Sequence, residues 1–153
     1  MTTPLPSKDL LLDACAGTIA LSHPLLQAAY ELASLHEARL AADPAELPEI
    51  DCARSRLIRD IDRWAATRLP RPFAAAALHT ETLGMVVDRI AGLSVAARTA
   101  DGATPECRRH HVWTRLAELS LAYADLSHEL AARTRRVPYS LAPHPEDLPH
   151  QHM

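Results

Sequence analysis

Apolar residues recur at intervals of three and four through four long stretches, and prolines and glycines fall between them. Each stretch predicts an amphipathic helix, near residues 24–41, 48–69, 80–100 and 105–136. The second helix opens at Ser22-His23-Pro24 and carries Leu25, Ala28, Ala29, Leu32, Leu35 and Leu40 inward, with His36 on or beside that stripe. The third turns Ile50, Ala53, Leu57, Ile61, Trp64 and Ala65 inward, and Pro70-Arg71-Pro72 ends it. Thr104-Pro105-Glu106 starts the last, whose stripe is Val112, Leu116, Leu119, Tyr123, Leu126 and Leu130. A short helix precedes them, capped by Ser7 and stopped near Gly17. The expectation is an all-α fold: an up-down helical bundle of four long helices plus a short N-terminal helix, with no sheet. Residues 1–138 form its single domain, and the Pro- and His-rich stretch 139–153 reads as a mobile tail.

The most informative stretch runs from Leu78 to Arg98, with Thr80 expected to cap its helix. Leu83, Val86, Val87, Ile90, Leu93, Ser94 and Ala97 make its core stripe. Another face carries Glu81, Gly84, Asp88 and Gly92. Glu81 and Asp88 are seven residues apart, which places them within about 20° of each other on an ideal helix. Two such carboxylates repel unless a cation or donor lies between them. The glycines cost about 1 kcal/mol each against alanine, so they imply close approach by another helix or a ligand.

Composition narrows the classes. The 153 residues are 48% hydrophobic but only 4% aromatic, so the core is built from Leu, Ala, Val and Ile. A chain of this size buries about 70% of its unfolded surface as one domain. A formal charge of −3 gives no broad basic footprint, which argues against nucleic acid and anionic membrane as partners. Cys15, Cys52 and Cys107 are scattered and odd in number, as reduced thiols of a cytoplasmic protein would be. No signal peptide or membrane span is read from the pattern.

The stretch LHTETLGMVVDRIAGLSVAA resembles the Leu-Asn-[Ser/Thr]-Glu-Thr-x-Gly-x-[Ile/Val]-[Ile/Val]-Asp-Arg-Leu segment of an uncharacterised bacterial helical family, domain-of-unknown-function family 4254. The resemblance extends upstream through HPLLQAAYELASLHEARL and IDCARSRLIRDIDRWAA, covering roughly Leu5 to Pro138. The sequence departs from that pattern at His79, where Asn is usual. It departs again after Leu35-His36, where EARLAADPAELPE replaces a Trp/His/Glu/Asp-rich turn. The resemblance implies a compact helical bundle and no established activity.

Several clusters of polar residues have spacings that chemistry uses. A bundle-core di-metal site needs two Glu-x-x-His pairs and two further glutamates. Only Asp125-x-x-His128 has the spacing, on the face opposite the last helix's stripe, so no metal and no cofactor are expected. Arg56, Arg59, Asp60, Asp62 and Arg63 read as a solvated face of i, i+3 and i, i+4 pairs. Cys107 lies beside Arg108, Arg109, His110 and His111 at a helix start, with no oxyanion donors to make it a nucleophile. More promising are His36, Arg39, His79, Glu81, Asp88 and Arg89, because antiparallel second and fourth helices bring His36 toward Glu81 or Asp88. A carboxylate that fixes a histidine tautomer is acid–base and binding machinery.

Two readings follow. In the first, a small polar or anionic molecule binds, and is acted on if the protein is an enzyme, between the second and fourth helices. In the second, the chain is a non-catalytic interaction module or homodimer that packs through the Gly84/Gly92 face. The first is the working expectation.

Overall fold

Ser7 does cap the first helix: its hydroxyl accepts the Leu10 N–H at 3.2 Å. In the computed structural model, which describes residues 5–138, this helix (α1) spans Lys8–Cys15. Gly17 follows with φ 108°, a left-handed turn that glycine takes without steric penalty. Helix α2 is Pro24–Ala41, with Pro24 in its first turn and the His23 ring nitrogen Nδ1 accepting the Leu25 N–H at 3.0 Å. Helix α3 is Leu47–Arg68, α4 is Leu83–Thr99 and α5 is Glu106–Ala131. The all-α expectation holds, and the expected tail lies outside the described residues.

Helix α4 is the hub. It packs against α1, α2, α3 and α5, while α2 also touches α3 and α1, and α1 touches α5. Four helices thus form an arc, α3–α2–α1–α5, wrapped around α4. The short linkers make consecutive long helices neighbours, and α1 fills the gap between α2 and α5. Burial around α4 extends beyond one stripe, to Leu83, Gly84, Val86, Val87, Ile90, Ala91, Ser94, Val95 and Ala97. A helix surrounded by others has few positions to spare for polar side chains. The N-terminal arm is tied in at its end, because Leu5 is buried and the buried Tyr123 hydroxyl donates to Pro6 O at 2.7 Å.

Three expectations need correction. First, α4 begins at Leu83 and not at Thr80. Its cap is Thr82, whose hydroxyl accepts the Met85 N–H at 3.2 Å, and Asp62 of α3 accepts the Gly84 N–H at 2.7 Å. Asp62 is therefore buried and not part of a solvated face. Second, α5 stops at Ala131, five residues early, and a short sheet exists. Arg133 turns left-handed (φ 66°), and residues Arg135–Arg136 then pair in parallel with Ala77–Leu78. We label these two-residue strands β1 (Ala77–Leu78) and β2 (Arg135–Arg136). The Arg133 guanidinium lies 4.3 Å over the Phe73 ring, and Phe73 N donates to Arg133 O at 3.0 Å, so the loop after α3 is strapped to the end of α5. Third, Leu40 points outward at 67% exposure, since the last turns of α2 project past the core.

Candidate functional site

Three helices each contribute a charged side chain to one point. His36 comes from α2, one turn beyond buried Leu32 and Ala33. Arg54 comes from α3, and Asp88 from α4, between core residues Val87 and Ile90. His36 Nε2 lies 2.9 Å from Asp88 Oδ1. Arg54 donates to both oxygens of the same carboxylate, from Nε at 3.2 Å and from Nη2 at 2.8 Å. The side chains of His36, Asp88 and Arg54 keep 17%, 14% and 22% of their exposure. They are thus largely, and not wholly, removed from water.

The network continues toward the surface. Arg54 Nη1 donates to Asp51 Oδ1 at 2.9 Å, and Arg39 donates to both Asp51 oxygens at 2.9 and 3.2 Å. Guanidinium and carboxylate therefore alternate from Arg39 through Asp51 and Arg54 to Asp88, and His36 ends the chain. Burial pushes the Asp88 carboxyl up, but hydrogen bonds and charge from His36 and Arg54 together outweigh it, so it titrates below the ordinary range. The Arg39 hydrogen bond likewise lowers Asp51. A carboxylate held ionised accepts and cannot donate. His36 Nε2 therefore carries the proton it gives to Asp88, which leaves Nδ1 of the neutral ring with the lone pair.

Glycine makes room for this arrangement. A Cβ at Gly92 would sit 3.0 Å from His36 Cε1 and 3.3 Å from both ring nitrogens. A Cβ at Gly84 would sit 2.3 Å from Ile58 O. The glycine face is thus spent inside the chain, on α3 at one end and on the His36 ring at the other. Gly84 is covered by α3 within the chain. His36, Arg54, Asp88 and Arg89 line an open cleft of about 430 Å³ whose apolar walls include Met85 and Leu93. On its far side the His36 ring borders a smaller hollow of about 190 Å³, lined also by Arg39.

Of the residues expected from sequence, His36 and Asp88 meet directly, Arg39 joins through Asp51, and Arg89 reaches the cleft. Glu81 does not share a helical face with Asp88, because it precedes the Thr82 cap; it is ion-paired with Arg89 instead. His79 stays local, its Nδ1 accepting the Glu81 backbone N–H at 3.2 Å in the loop before α4. Arg54 and Asp51 were missed. Their signal was the i, i+3 spacing to each other and the place of Arg54 next to stripe residue Ala53, easily read as one more solvated pair.

A family model described as "Protein of unknown function (DUF4254)" matches residues 33–139. The chain belongs to this family. No curated protein and no solved structure matches it. The DUF4254 match takes in His36, Arg39, Asp51, Arg54, Asp88 and Arg89. It begins inside α2, so α1, which the sequence resemblance had included, lies outside it. Among the described residues of this DUF4254 protein, no three His, Cys, Asp or Glu side chains gather closely enough to hold a metal ion, and Asp125 and His128 are exposed. No helix among them is long and apolar enough to cross a membrane. All three cysteines are free, and burial pushes the Cys15 thiol up to about 12, against the opposing pull of Arg98, so it stays protonated and inert.

Proposed function

We propose that the cleft between α2, α3 and α4 binds a small anionic molecule, with His36 placed to exchange a proton with it. The observation that carries this reading is the sharing of Asp88 by His36 and Arg54 at the wall of an open cleft. A largely desolvated ion pair contributes little net stability compared with apolar packing of the same volume. Such networks of perturbed groups concentrate at functional sites. The cleft presents the Arg54 and Arg89 guanidiniums and the His36 ring, while its acid, Asp88, already accepts three hydrogen bonds within the chain. Arg54 is shared between Asp51 and Asp88, and Arg89 is held by Glu81 at the rim. A bound anion is therefore met by these guanidiniums, whose planar fork suits carboxylate and phosphate oxygens. Asp88 fixes the ring so that Nδ1 holds the lone pair, which makes His36 a base toward a bound acid and, once protonated, a further cation.

Calorimetric titration of the full chain with inorganic phosphate and with acetate tests this. Saturable binding is expected for one of the two, weakened at least tenfold in both Arg89→Ala and His36→Ala with the thermal midpoint held. No saturation at millimolar anion, or unchanged affinity in both variants, refutes it.

A further inference from the structure

A second cavity, of about 450 Å³, lies in the seam between α3 and α5. These helices do not pack on each other, and the gap is roofed by Pro70–Pro72 and by residues 135–138. Its size falls within the ~300–1,000 Å³ of small-molecule pockets. It shares no lining residue with the His36 cleft. Ala65, Ala66, Leu69, Leu130 and Val137 give it apolar walls. Its charged lining residues are Asp62, Arg71, Arg135 and Arg136. Asp62 lines one end and Leu69 lies seven residues on along α3, a rise of about 10 Å. Arg71 follows two residues past Leu69, and Arg135 and Arg136 of β2 also line the cavity.

The three arginines differ in what they already hold. Arg135 is paired with Glu129 at 2.7 Å. Arg136 Nε donates to Ala76 O at 3.2 Å, and among the described residues neither Arg136 nor Arg71 meets a carboxylate. Asp62 is committed at the other end to the Gly84 N–H. An occupant with an apolar body and one anionic head therefore fits with its head on the Arg71 guanidinium and its body along Ala66 and Leu69, away from the Asp62 carboxylate. We propose that this seam is a binding site for a free medium-chain carboxylate, such as the anion of an acyl chain.

The probe is octanoate, titrated into the full chain by calorimetry, with the neutral alcohol octanol as its partner. Octanoate is expected to saturate one site, and octanol to bind at least tenfold more weakly. Arg71→Ala removes an exposed guanidinium without disturbing packing and should weaken octanoate about tenfold. Ala66→Trp, an exposed position on α3, should fill the seam and abolish binding while the helical CD signal stays unchanged. Inorganic phosphate should not displace octanoate. Absence of saturable binding overturns the proposal, as does equal affinity for octanol or for Arg71→Ala, or binding that survives Ala66→Trp. The residues after Pro138 carry an acidic pair next to Leu148 and are the rival occupant. If Glu146→Gln with Asp147→Asn in the full chain raises octanoate affinity, the seam belongs to the protein's own C-terminal segment and not to a free ligand. Unchanged affinity in that variant supports the proposal.

Discussion

His36 and Asp88 are 52 residues apart in sequence and 2.9 Å apart in space, and they meet because α2 and α4 pack against each other. Asp88 also neutralises Arg54, which is only 22% exposed. Asp88→Asn keeps the shape of the side chain but leaves that guanidinium with Asp51 alone. Hydrogen bonds to charged groups contribute about 1.5–3 kcal/mol each at most, so a loss of about 2 kcal/mol in urea unfolding is expected. Repulsion between Glu81 and Asp88 would predict the opposite, a gain, but each carboxylate has its own arginine. A change below about 0.5 kcal/mol, the range of ordinary surface substitutions, would show that Asp88 contributes nothing to the fold.

The same pair sets a pH dependence. The folded Asp88 carboxyl titrates below its unfolded value, since His36 and Arg54 outweigh the opposing effect of burial. A depressed acid contributes stability that is complete above the unfolded pKa, about 3.9, and disappears as pH falls through the folded one. The difference in thermal midpoint between wild type and Asp88→Asn should therefore be constant above about pH 5 and close steadily below pH 4. A difference that persists to acid unfolding would mean that the lost contribution is packing and not charge.

Glu81→Gln acts differently. Its pairing with Arg89 is at the rim, where Arg89 is 44% exposed, and exposed pairs contribute about 0–1 kcal/mol. Stability should barely move. The Arg89 guanidinium, released from its acid, then faces the cleft unopposed, so affinity for the anion bound there should rise several-fold. Phosphate and acetate titrations of the variant check this, and a weaker affinity would make Glu81 part of the binding surface.

The two glycines of α4 separate fold from site. Gly84→Ala would place a Cβ 2.3 Å from Ile58 O and 2.8 Å from Asp62 Oδ1, so α3 or α4 must shift. The helix-propensity gain is only about 1 kcal/mol, and overpacking costs about 1–3 kcal/mol or more, so net destabilisation is expected. At Gly92 the neighbour is the His36 ring at 3.0 Å, a side chain that can swing away. Gly92→Ala should keep its stability within about 1 kcal/mol while weakening anion binding, because the ring leaves Asp88. The NMR signals of His36 would report that movement directly.

Much of this was legible in the chain. Helix α2 has the predicted bounds because Pro24 and Asp43-Pro44 punctuate it, whatever packs around it. The bounds that moved are those decided by a partner distant in sequence. Thr80 and Thr82 are equally good caps in isolation; Asp62, reaching across from α3 to the Gly84 N–H, selects Thr82. Residues 131–136 hold no glycine or proline, so only the backbone pairing of Arg135–Arg136 with Ala77–Leu78 could end α5 where it ends. In the site, His36 and Asp88 stood out because polar residues beside an apolar stripe are conspicuous. Arg54 did not, since an arginine among arginines on an exposed-looking helix carries no mark until Asp88 is opposite it.

Asp62 offers the last test, and its sign runs opposite to that of Asp88. Burial raises its carboxyl pKa above the ordinary value, even though the Gly84 N–H and the Thr82 hydroxyl lower it. A raised acid binds its proton more tightly in the folded state, so this group favours folding below its unfolded pKa and loses that contribution as pH rises through the folded one. At neutral pH the charge is thus a cost, while the oxygen is still needed to accept the Gly84 N–H at 2.7 Å. Asp62→Asn retains an oxygen at that position and removes the charge, so its stability at neutral pH should equal or exceed that of wild type. Asp62→Ala leaves the buried N–H of Gly84 without a partner and should cost about 1–3 kcal/mol. The two variants are compared by urea unfolding at pH 7 and again near pH 4, where the advantage of Asn over Asp should shrink. If Asn is as damaging as Ala, the charge itself holds the start of α4, through the positive end of the helix dipole.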